Sequence, residues 1–349
     1  MDIINRIEAF SRLGSLLKEL GKSQEFNHIV IDVASLEKGF HDAIGANAWF
    51  TEESVFKMFY ALGDGLKRED LEKWAAMYDL NTPAEQKTVV VVMAGNIPAV
   101  GFHDFLCVLM SGHKVQVKLS SDDTYLILAF ADLLISMEPA FAELIEFTDS
   151  FIHDFDAVIA TGSNNTARYF DYYFGKYPHI IRKNRNALAV LSGNESRDEL
   201  IALGDDIFMY YGLGCRNVSK LFVPQDYDFK DFFKAIEGFS PVAEHHKYNN
   251  NYDYNKSILL VNGDQHFDNG FLLLKESTSM ASPVSVLHFE RYNKPDEVND
   301  FIKDESENIQ CVISADKRLA GSIPPGTGQY PKLWDYADGV DTMEFLLQI

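Results

Sequence analysis

Positive charge is scarce in this chain. Its 349 residues carry 31 Lys and Arg against 52 Asp and Glu, a formal net charge of −21. Binding nucleic acid requires an excess of basic side chains to neutralise phosphate, so no nucleic-acid partner is expected. An anionic membrane surface is disfavoured on the same ground. Cysteine is also scarce. Cys107, Cys215 and Cys311 are too few to form a disulfide framework in so long a chain, and a reducing, cytoplasmic setting is expected. No apolar run approaches the ~18 residues of a membrane span. The opening MDIINRIEAFSRLG has acidic residues and no long apolar stretch, so no signal peptide is expected. What is present is an ordinary globular balance, 46% hydrophobic and 24% charged, which excludes disorder and collagen-like repeats. The length predicts about two domains.

Residues 1–87 read mostly as helix. Ile7, Phe10, Leu13, Leu17 and Leu20 recur at helical spacing, Met58, Leu62 and Leu66 continue the style, and Asn81-Thr82-Pro83 is expected to stop it. The pattern then changes. TVVVVMAG (88–95) is a β-branched run ending in glycine, as in a strand buried on both faces. Helix is predicted at 98–112, strand at 114–120, helix near 123–136, and strands at 143–147 and 156–163. Beyond these come strand 187–193, helix 196–211, strand 219–224, helix 229–237, strands 257–262, 271–277 and 283–290, helix 296–304 and strand 310–315. Such alternation implies parallel βαβ units and a doubly wound sheet. The polar HHKYNNNYDYNK (245–256) reads as a surface loop. A boundary is placed near 185, where RKNRN (182–186) separates two α/β blocks.

In a doubly wound sheet, ligands bind beyond the carboxyl ends of the strands. Three such ends carry small or polar residues: Gly95-Asn96-Ile97-Pro98, Lys118-Leu119-Ser120-Ser121 and Thr161-Gly162-Ser163. A fourth candidate is Gly212-Leu213-Gly214-Cys215. Cys215 has two readings. It is a small buried hydrophobe, as free cysteines tend to be, or a reactive thiol beside flexible glycines and Arg216. Cys107 and Cys311, in apolar contexts, fit the first. Asn96 is either a turn residue or an amide donor to an oxyanion. Lys118 is either a solvated strand-end charge or a cofactor contact. His245-His246 invites a metal reading, but adjacent side chains are expected to point apart and no third ligand is evident. Gly63-Asp64-Gly65 and Ser192-Gly193-Asn194 read as turns without the further glycines of a dinucleotide fingerprint. Tyr169, Tyr172, Tyr173 and Phe174 read either as the lining of a ligand tunnel or, in preference, as an aromatic helix face packed on the sheet.

Taken in order, these motifs resemble the aldehyde dehydrogenase superfamily, and within it the acyl-CoA reductase family that includes the fatty-acid reductase of bacterial bioluminescence. The matching pieces are a G-N-x-P strand end (Gly95–Pro98), a V-K-x-S strand end (Val117–Ser120), a T-G-S turn (Thr161–Ser163) and a G-x-G-C cysteine (Gly212–Cys215). Asn47-Ala48-Trp49-Phe50-Thr51 and Asp335-Tyr336-Ala337-Asp338-Gly339-Val340-Asp341 are also similar. The resemblance implies an α/β fold of aldehyde dehydrogenase type. It would have a doubly wound Rossmann-type cofactor domain with a helical N-terminal region (1–185), a second α/β domain carrying the catalytic cysteine (186–330), and a tail packing back (331–349).

The resemblance also implies roles. Cys215 would take the acyl group as a thioester, and Asn96 with the Cys215 N–H would form the oxyanion hole. Lys118, Ser120 and Ser121 would lie at the adenosine ribose, Thr161 near the nicotinamide, and Gly162 and Ser163 near the pyrophosphate at a helix N-terminus. Three departures matter. The E-L-G-G segment, whose Glu activates the deacylating water, is replaced by His179-Ile180-Ile181-Arg182-Lys183, which favours reduction of an acyl thioester over hydrolysis. Ser121 stands where NAD-preferring members often have Glu, so NADPH is expected over NADH. The E-x-F-G-P motif appears as Ser279-Met280-Ala281-Ser282-Pro283, without its Glu. The expected activity is NADPH-dependent reduction of an acyl-CoA, with a fatty acyl chain, to an aldehyde. The alternatives are an acyl-phosphate or acyl-protein reductase with an acyl-carrying protein partner, and a non-catalytic cofactor-binding member. The resemblance leaves room for a homo-oligomer. Arg168, Lys176, Arg182, Lys183 and Arg185 form a basic island, part of which, with Lys118, is expected to face nucleotide phosphates.

Overall fold

The β-branched run at Thr88 becomes the central strand of a parallel sheet because it has no polar face to offer water. In the computed structural model, which describes residues 1–27, 33–80, 85–149 and 152–349, Val89, Val90 and Val91 are fully buried. The chain divides into two units: Met1–Asn184 with Tyr330–Ile349, and Arg185–Gln329. The expected helix stop at Asn81-Thr82-Pro83 lies outside the described residues.

The first unit opens with helices α1 (Ile3–Ser23), α2 (Ala34–Ala46), α3 (Glu52–Gly65) and α4 (Arg68–Ala75). The periodic residues of α1 (Ile7, Phe10, Leu13, Leu17 and Leu20) are all buried, and Asp2 caps its start by accepting the Asn5 N–H. Gly63 sits inside α3, not in a turn. A Cβ there would lie 2.4 Å from the backbone nitrogen of Lys18, so the glycine permits close approach of α1 and α3. The sheet follows, with β1 (Thr88–Val92), β2 (Lys114–Lys118), β3 (Ile145–Phe147), β4 (Ala157–Thr161) and β5 (His179–Arg182) in the order β3-β2-β1-β4-β5. Every pairing is parallel. This is the strand order of a doubly wound dinucleotide-binding sheet. Helices α5 (Phe102–Ser111), α6 (Tyr125–Met137) and α7 (Asn164–Phe174) connect the strands.

The second unit has its own sheet. Strands β6 (Asn186–Val190), β7 (Val218–Pro224), β8 (His266–Asp268), β9 (Leu273–Glu276), β10 (Val286–Tyr292) and β11 (Ile309–Ile313) run in the order β11-β6-β7-β10-β9-β8. Only β8 and β9 pair antiparallel. Helices α8 (Arg197–Phe208), α9 (Lys230–Ile236), α10 (His246–Asn262) and α11 (Pro295–Asp304) complete it. The last helix, α12 (Thr342–Gln348), belongs to the first unit.

Three further readings are corrected here. The loop at 245–256 and the strand at 257–262 are together one helix, α10. Tyr248, Tyr252, Asn255 and Leu259 form its buried face at four-, three- and four-residue steps. The His245 ring caps its start by accepting the Tyr248 N–H, and Gly263, at φ +70°, ends it. The run SILLVN resembles a strand only because Leu260 and Val261 are apolar yet exposed, Val261 at 87%. The His245 and His246 rings do not point apart but stack, 5.2 Å between centroids. No metal-holding group of side chains occurs among the described residues.

The second failure is on α7. Tyr169, Tyr172 and Tyr173 are exposed, Tyr172 at 82%, whereas Phe170 and Phe174 pack against Val90, Val158 and Ala160. The helix buries its phenylalanines and turns its phenols to water, which solvates each hydroxyl at no packing cost.

The third concerns one member of the basic island. Arg182 is not a surface base. It is 3% exposed, pairs with Asp104 at 2.7 Å, and donates to the Thr342 hydroxyl and the Ala337 carbonyl. A desolvated guanidinium needs such a complete set of acceptors, and Arg182 finds them in α5 and the C-terminal segment. Arg185 is likewise engaged, donating to the carbonyls of Ser306 and Ile309. Replacing Arg182 by Met strands the Asp104 carboxylate in the interior. The expected loss is about 3–5 kcal/mol of unfolding free energy, read by chemical denaturation, with partial recovery in the R182M/D104L pair.

Candidate active site

Register brings three of the sequence motifs to one edge of the first sheet. Val92 lies opposite Lys118 on one side and Ala160 on the other, and the Met93 N–H donates to the Lys118 carbonyl at 3.0 Å. The segments Gly95–Pro98, Lys118–Ser121 and Thr161–Ser163 therefore leave the sheet side by side, around the point between β1 and β4 where the strand order reverses. Ligands bind at such a switch point in open α/β sheets.

The turn after β1 is tightly specified. A Cβ at Gly95 would fall 2.6 Å from the Ser120 hydroxyl and 2.9 Å from the Asp123 nitrogen, so only glycine fits between the two strand ends. Ala99 adopts a left-handed φ of 54° and donates its N–H to Asp123 Oδ2 at 2.6 Å. Asp123 is 3% exposed, and its Oδ1 has no hydrogen-bond partner. Burial pushes this carboxyl up to about 7, against the opposing pull of the Ala99 N–H. Asn96 is exposed at the crest of the turn, Lys118 and Ser120 are half-buried, and Ser121 is exposed.

At the end of β4, Ser163 caps α7 by accepting the Thr166 N–H at 3.1 Å. A Cβ at Gly162 would crowd the Thr166 side chain at 3.0 Å, so the absence of a side chain keeps the approach to the helix N-terminus open. Free N–H groups and the helix dipole there favour an anion. Thr161 and Gly162 are half-buried and Ser163 exposed.

The second unit carries the cysteine turn. Three consecutive residues before it, Tyr210, Tyr211 and Gly212, have φ of 53°, 58° and 77°. Two left-handed tyrosines are strained positions, and they persist only where surrounding bonds over-determine them. Asn217 supplies those bonds. Its Oδ1 accepts the Gly214 N–H at 2.8 Å, its own N–H donates to the Gly214 carbonyl at 3.0 Å, and its Nδ2 donates to the carbonyls of Asp206 and Met209. Cys215 thus rides on a pinned turn and is exposed, while Cys107 is buried and Cys311 is intermediate. Burial lifts the Cys107 thiol well above its ordinary range. The buried-hydrophobe reading fits Cys107 and does not fit Cys215.

Two residues of this geometry have no sequence signal that singles them out. Asp123 sits in the polar run Ser120-Ser121-Asp122-Asp123 beside an exposed acid of the same type, and Asp206 follows Asp205 in an ordinary helix.

No family model matches the chain, and no curated protein sequence matches it. Solved structures do. An indole-3-acetaldehyde dehydrogenase of P. syringae, in complex with NAD+ and IAA, superposes with a TM-score of 0.66 at 13% identity, over 92% of this chain and 74% of that one. Aldehyde dehydrogenase 21 of Physcomitrella patens, in complex with the reaction product succinate, matches with a TM-score of 0.65 at 12% identity, over 100% of this chain and 84% of that one. The fold is the aldehyde dehydrogenase fold. An NAD-dependent benzaldehyde dehydrogenase of Corynebacterium glutamicum gives the same answer, with a TM-score of 0.66 at 12% identity over 92% and 78% of the two chains. The aldehyde dehydrogenase fold expected from the ordered motifs is therefore present. No helix among the described residues is long and apolar enough to cross a membrane.

The raised Asp123 pKa has a signed consequence for stability. A carboxyl held above its ordinary value of 3.8 favours folding fully below that value, and the contribution is lost as pH rises through about 7. Asn at this position keeps an acceptor for the Ala99 N–H without a charge to bury. D123N is expected to melt higher than the parent above pH 7, by the equivalent of a few kcal/mol. The gain should shrink as pH falls toward the ordinary Asp range, and thermal melts across that interval measure it.

Proposed function

We propose that the protein is a cysteine-dependent acyl-thioester reductase that converts an acyl-CoA to an aldehyde with NADPH. The observation that carries this reading is the exposed Cys215 thiol, held on a bond-locked, glycine-flanked turn within an aldehyde dehydrogenase fold.

The first unit fits a nicotinamide dinucleotide on its own geometry. The strand order, the side-chain-free approach at Gly162 and the capped start of α7 form a cradle for a diphosphate, and Thr161, Gly162 and Ser163 would line it. Lys118, Ser120 and Ser121, at the end of β2, would meet the adenosine ribose. No carboxylate stands in Lys118–Ser121 to repel a 2′-phosphate, which favours NADPH over NADH. When bound, the cofactor supplies the hydride that reduction of a thioester requires.

The chain's own residues supply the covalent step. The Cys215 thiolate attacks the acyl carbonyl carbon, the carbon–sulfur bond to CoA breaks, and the CoA thiolate leaves. The acyl group is then held on Cys215 as a thioester, which divides one hard step into two. The Cys215 N–H is the turn's own donor to the carbonyl oxygen, and Asn96 takes the amide-donor role on the strength of the resemblance alone. The segment His179–Lys183 contains no carboxylate to activate water, and its Arg182 is committed to Asp104. The acyl-enzyme is thereby spared hydrolysis, and release as an aldehyde is favoured over release as an acid. The same cysteine chemistry serves an acyl phosphate or an acyl-carrying protein. Competition by free CoA identifies the thioester of CoA as the substrate.

The test is to mix purified protein with long-chain acyl-CoA and NADPH and follow absorbance of the reduced cofactor. Cofactor consumption is expected to vanish in C215A and to fall by roughly 10²–10³-fold in N96A. Absence of Cys215-dependent consumption across chain lengths and acyl donors overturns the reading and favours a non-catalytic, cofactor-binding role.

A further inference from the structure

A second loop is tied to the cysteine turn through a buried carboxylate that the proposed chemistry does not use. Asp206, near the end of α8, is fully buried. Its Oδ2 accepts the Gly326 N–H at 2.6 Å and its Oδ1 accepts the Gly328 N–H at 2.8 Å. The Gly328 carbonyl in turn accepts from Arg216 Nε, and the Asp206 backbone carbonyl accepts from Asn217 Nδ2 at 3.0 Å. The two residues after Cys215 are therefore both secured to Asp206, one through the glycine loop and one directly. The glycines are required by this arrangement. Gly326 has φ +81°, and a Cβ at Gly328 would lie 2.7 Å from Asp206 Oδ1.

We propose that Asp206 is a positioning residue that holds the Cys215 turn in its reactive shape through the Gly326–Gly328 loop. The inference rests on Cys215 being the nucleophile of the proposed function. A carboxylate is the side chain suited to the task, because both of its oxygens accept, and each N–H receives a charge-assisted bond. An amide of the same shape accepts with one oxygen and presents an NH2 to the other N–H. A carboxyl group that served packing alone would gain nothing from its charge and would suffer the desolvation.

The latch carries a pH dependence. Burial pushes the Asp206 carboxyl up to about 6. The Gly326 and Gly328 N–H groups and Arg216 pull it down, and Asp205 pushes it up further. Below that pH a protonated Asp206 gives up one of its two strong acceptances, and the loop and the turn lose their common anchor.

The experiment is alkylation with iodoacetamide, followed by peptide mass spectrometry, with Cys311 as the internal reference. It needs neither substrate nor cofactor. In folded D206N, Cys215 is expected to react more slowly than in the parent by roughly tenfold at neutral pH, because the turn and Arg216 no longer hold the surroundings that favour the thiolate. Cys311 is expected to be unchanged. In the parent protein, Cys215 reactivity is expected to drop below a single-thiol titration curve under about pH 6, and this extra step disappears in D206N. R216K keeps the positive charge beside the thiol but gives up the guanidinium that engages Gly328. It is expected to slow Cys215 in the same direction and decides the matter if D206N does not fold. Cys215 reacting as fast as or faster than in the parent, with the same pH profile, overturns the positioning role. Failure of acyl-CoA reduction leaves this readout untouched, so the two proposals fall separately.

Discussion

The first unit depends on a single constraint, the parallel register that sets β1 between β2 and β4. With Val92 opposite both Lys118 and Ala160, three strand ends finish level with one another. Their loops must then share one small space. That crowding is why Gly95 has no room for a side chain and why Ala99 takes a left-handed backbone. It also turns Asp123 inward, where its carboxylate answers the Ala99 N–H. A shift of one residue in this register would place the polar strand ends at different heights and leave no common edge.

Both units use the same device at their candidate functional loops. Asp123 and Asp206 are buried carboxylates that accept backbone N–H groups of a neighbouring loop, and burial raises both. Among the described residues neither has a direct salt-bridge partner, so each pays in desolvation for the geometry it imposes. Arg182 and Asp104 show the alternative. There a buried charge is matched by a counter-charge and neutral acceptors, and the result is a structural joint between α5 and the C-terminal segment. The contrast separates charges that hold a loop in shape from charges that hold the body of the fold together.

Much of the architecture was legible in the residues. The valine run of β1, the helical spacing in α1 and the alternation from Thr88 onward each reflect burial on known faces, and burial is what hydrophobic patterning encodes. The motifs Gly95–Pro98, Lys118–Ser121, Thr161–Ser163 and Gly212–Cys215 were legible as turns of small and polar residues. The failures share a cause. In α10, asparagines and tyrosines disguise a helix whose inner face includes the polar Asn255 and whose outer face exposes Ile258, Leu260 and Val261 among polar residues, so no amphipathic period appears. In α7, tyrosine and phenylalanine look alike in a pattern but are sorted by the hydroxyl. Arg182 looks like one more surface base until a partner 78 residues away in the chain claims it.

Sequence alone determined the strand–helix alternation of the first sheet, the glycine-bound turns at its strand ends and the two open readings of Cys215, because these are properties of adjacent residues. Only the tertiary structure decided that Cys215 is exposed while Cys107 is sealed, that Arg182 is a buried joint, and that Asp123 and Asp206 work on backbone groups far along the chain. The reason is physical. Solvation and partnership of a charged or reactive group are set by what the fold places within a few ångströms of it, and that neighbourhood is assembled from segments that local sequence cannot pair.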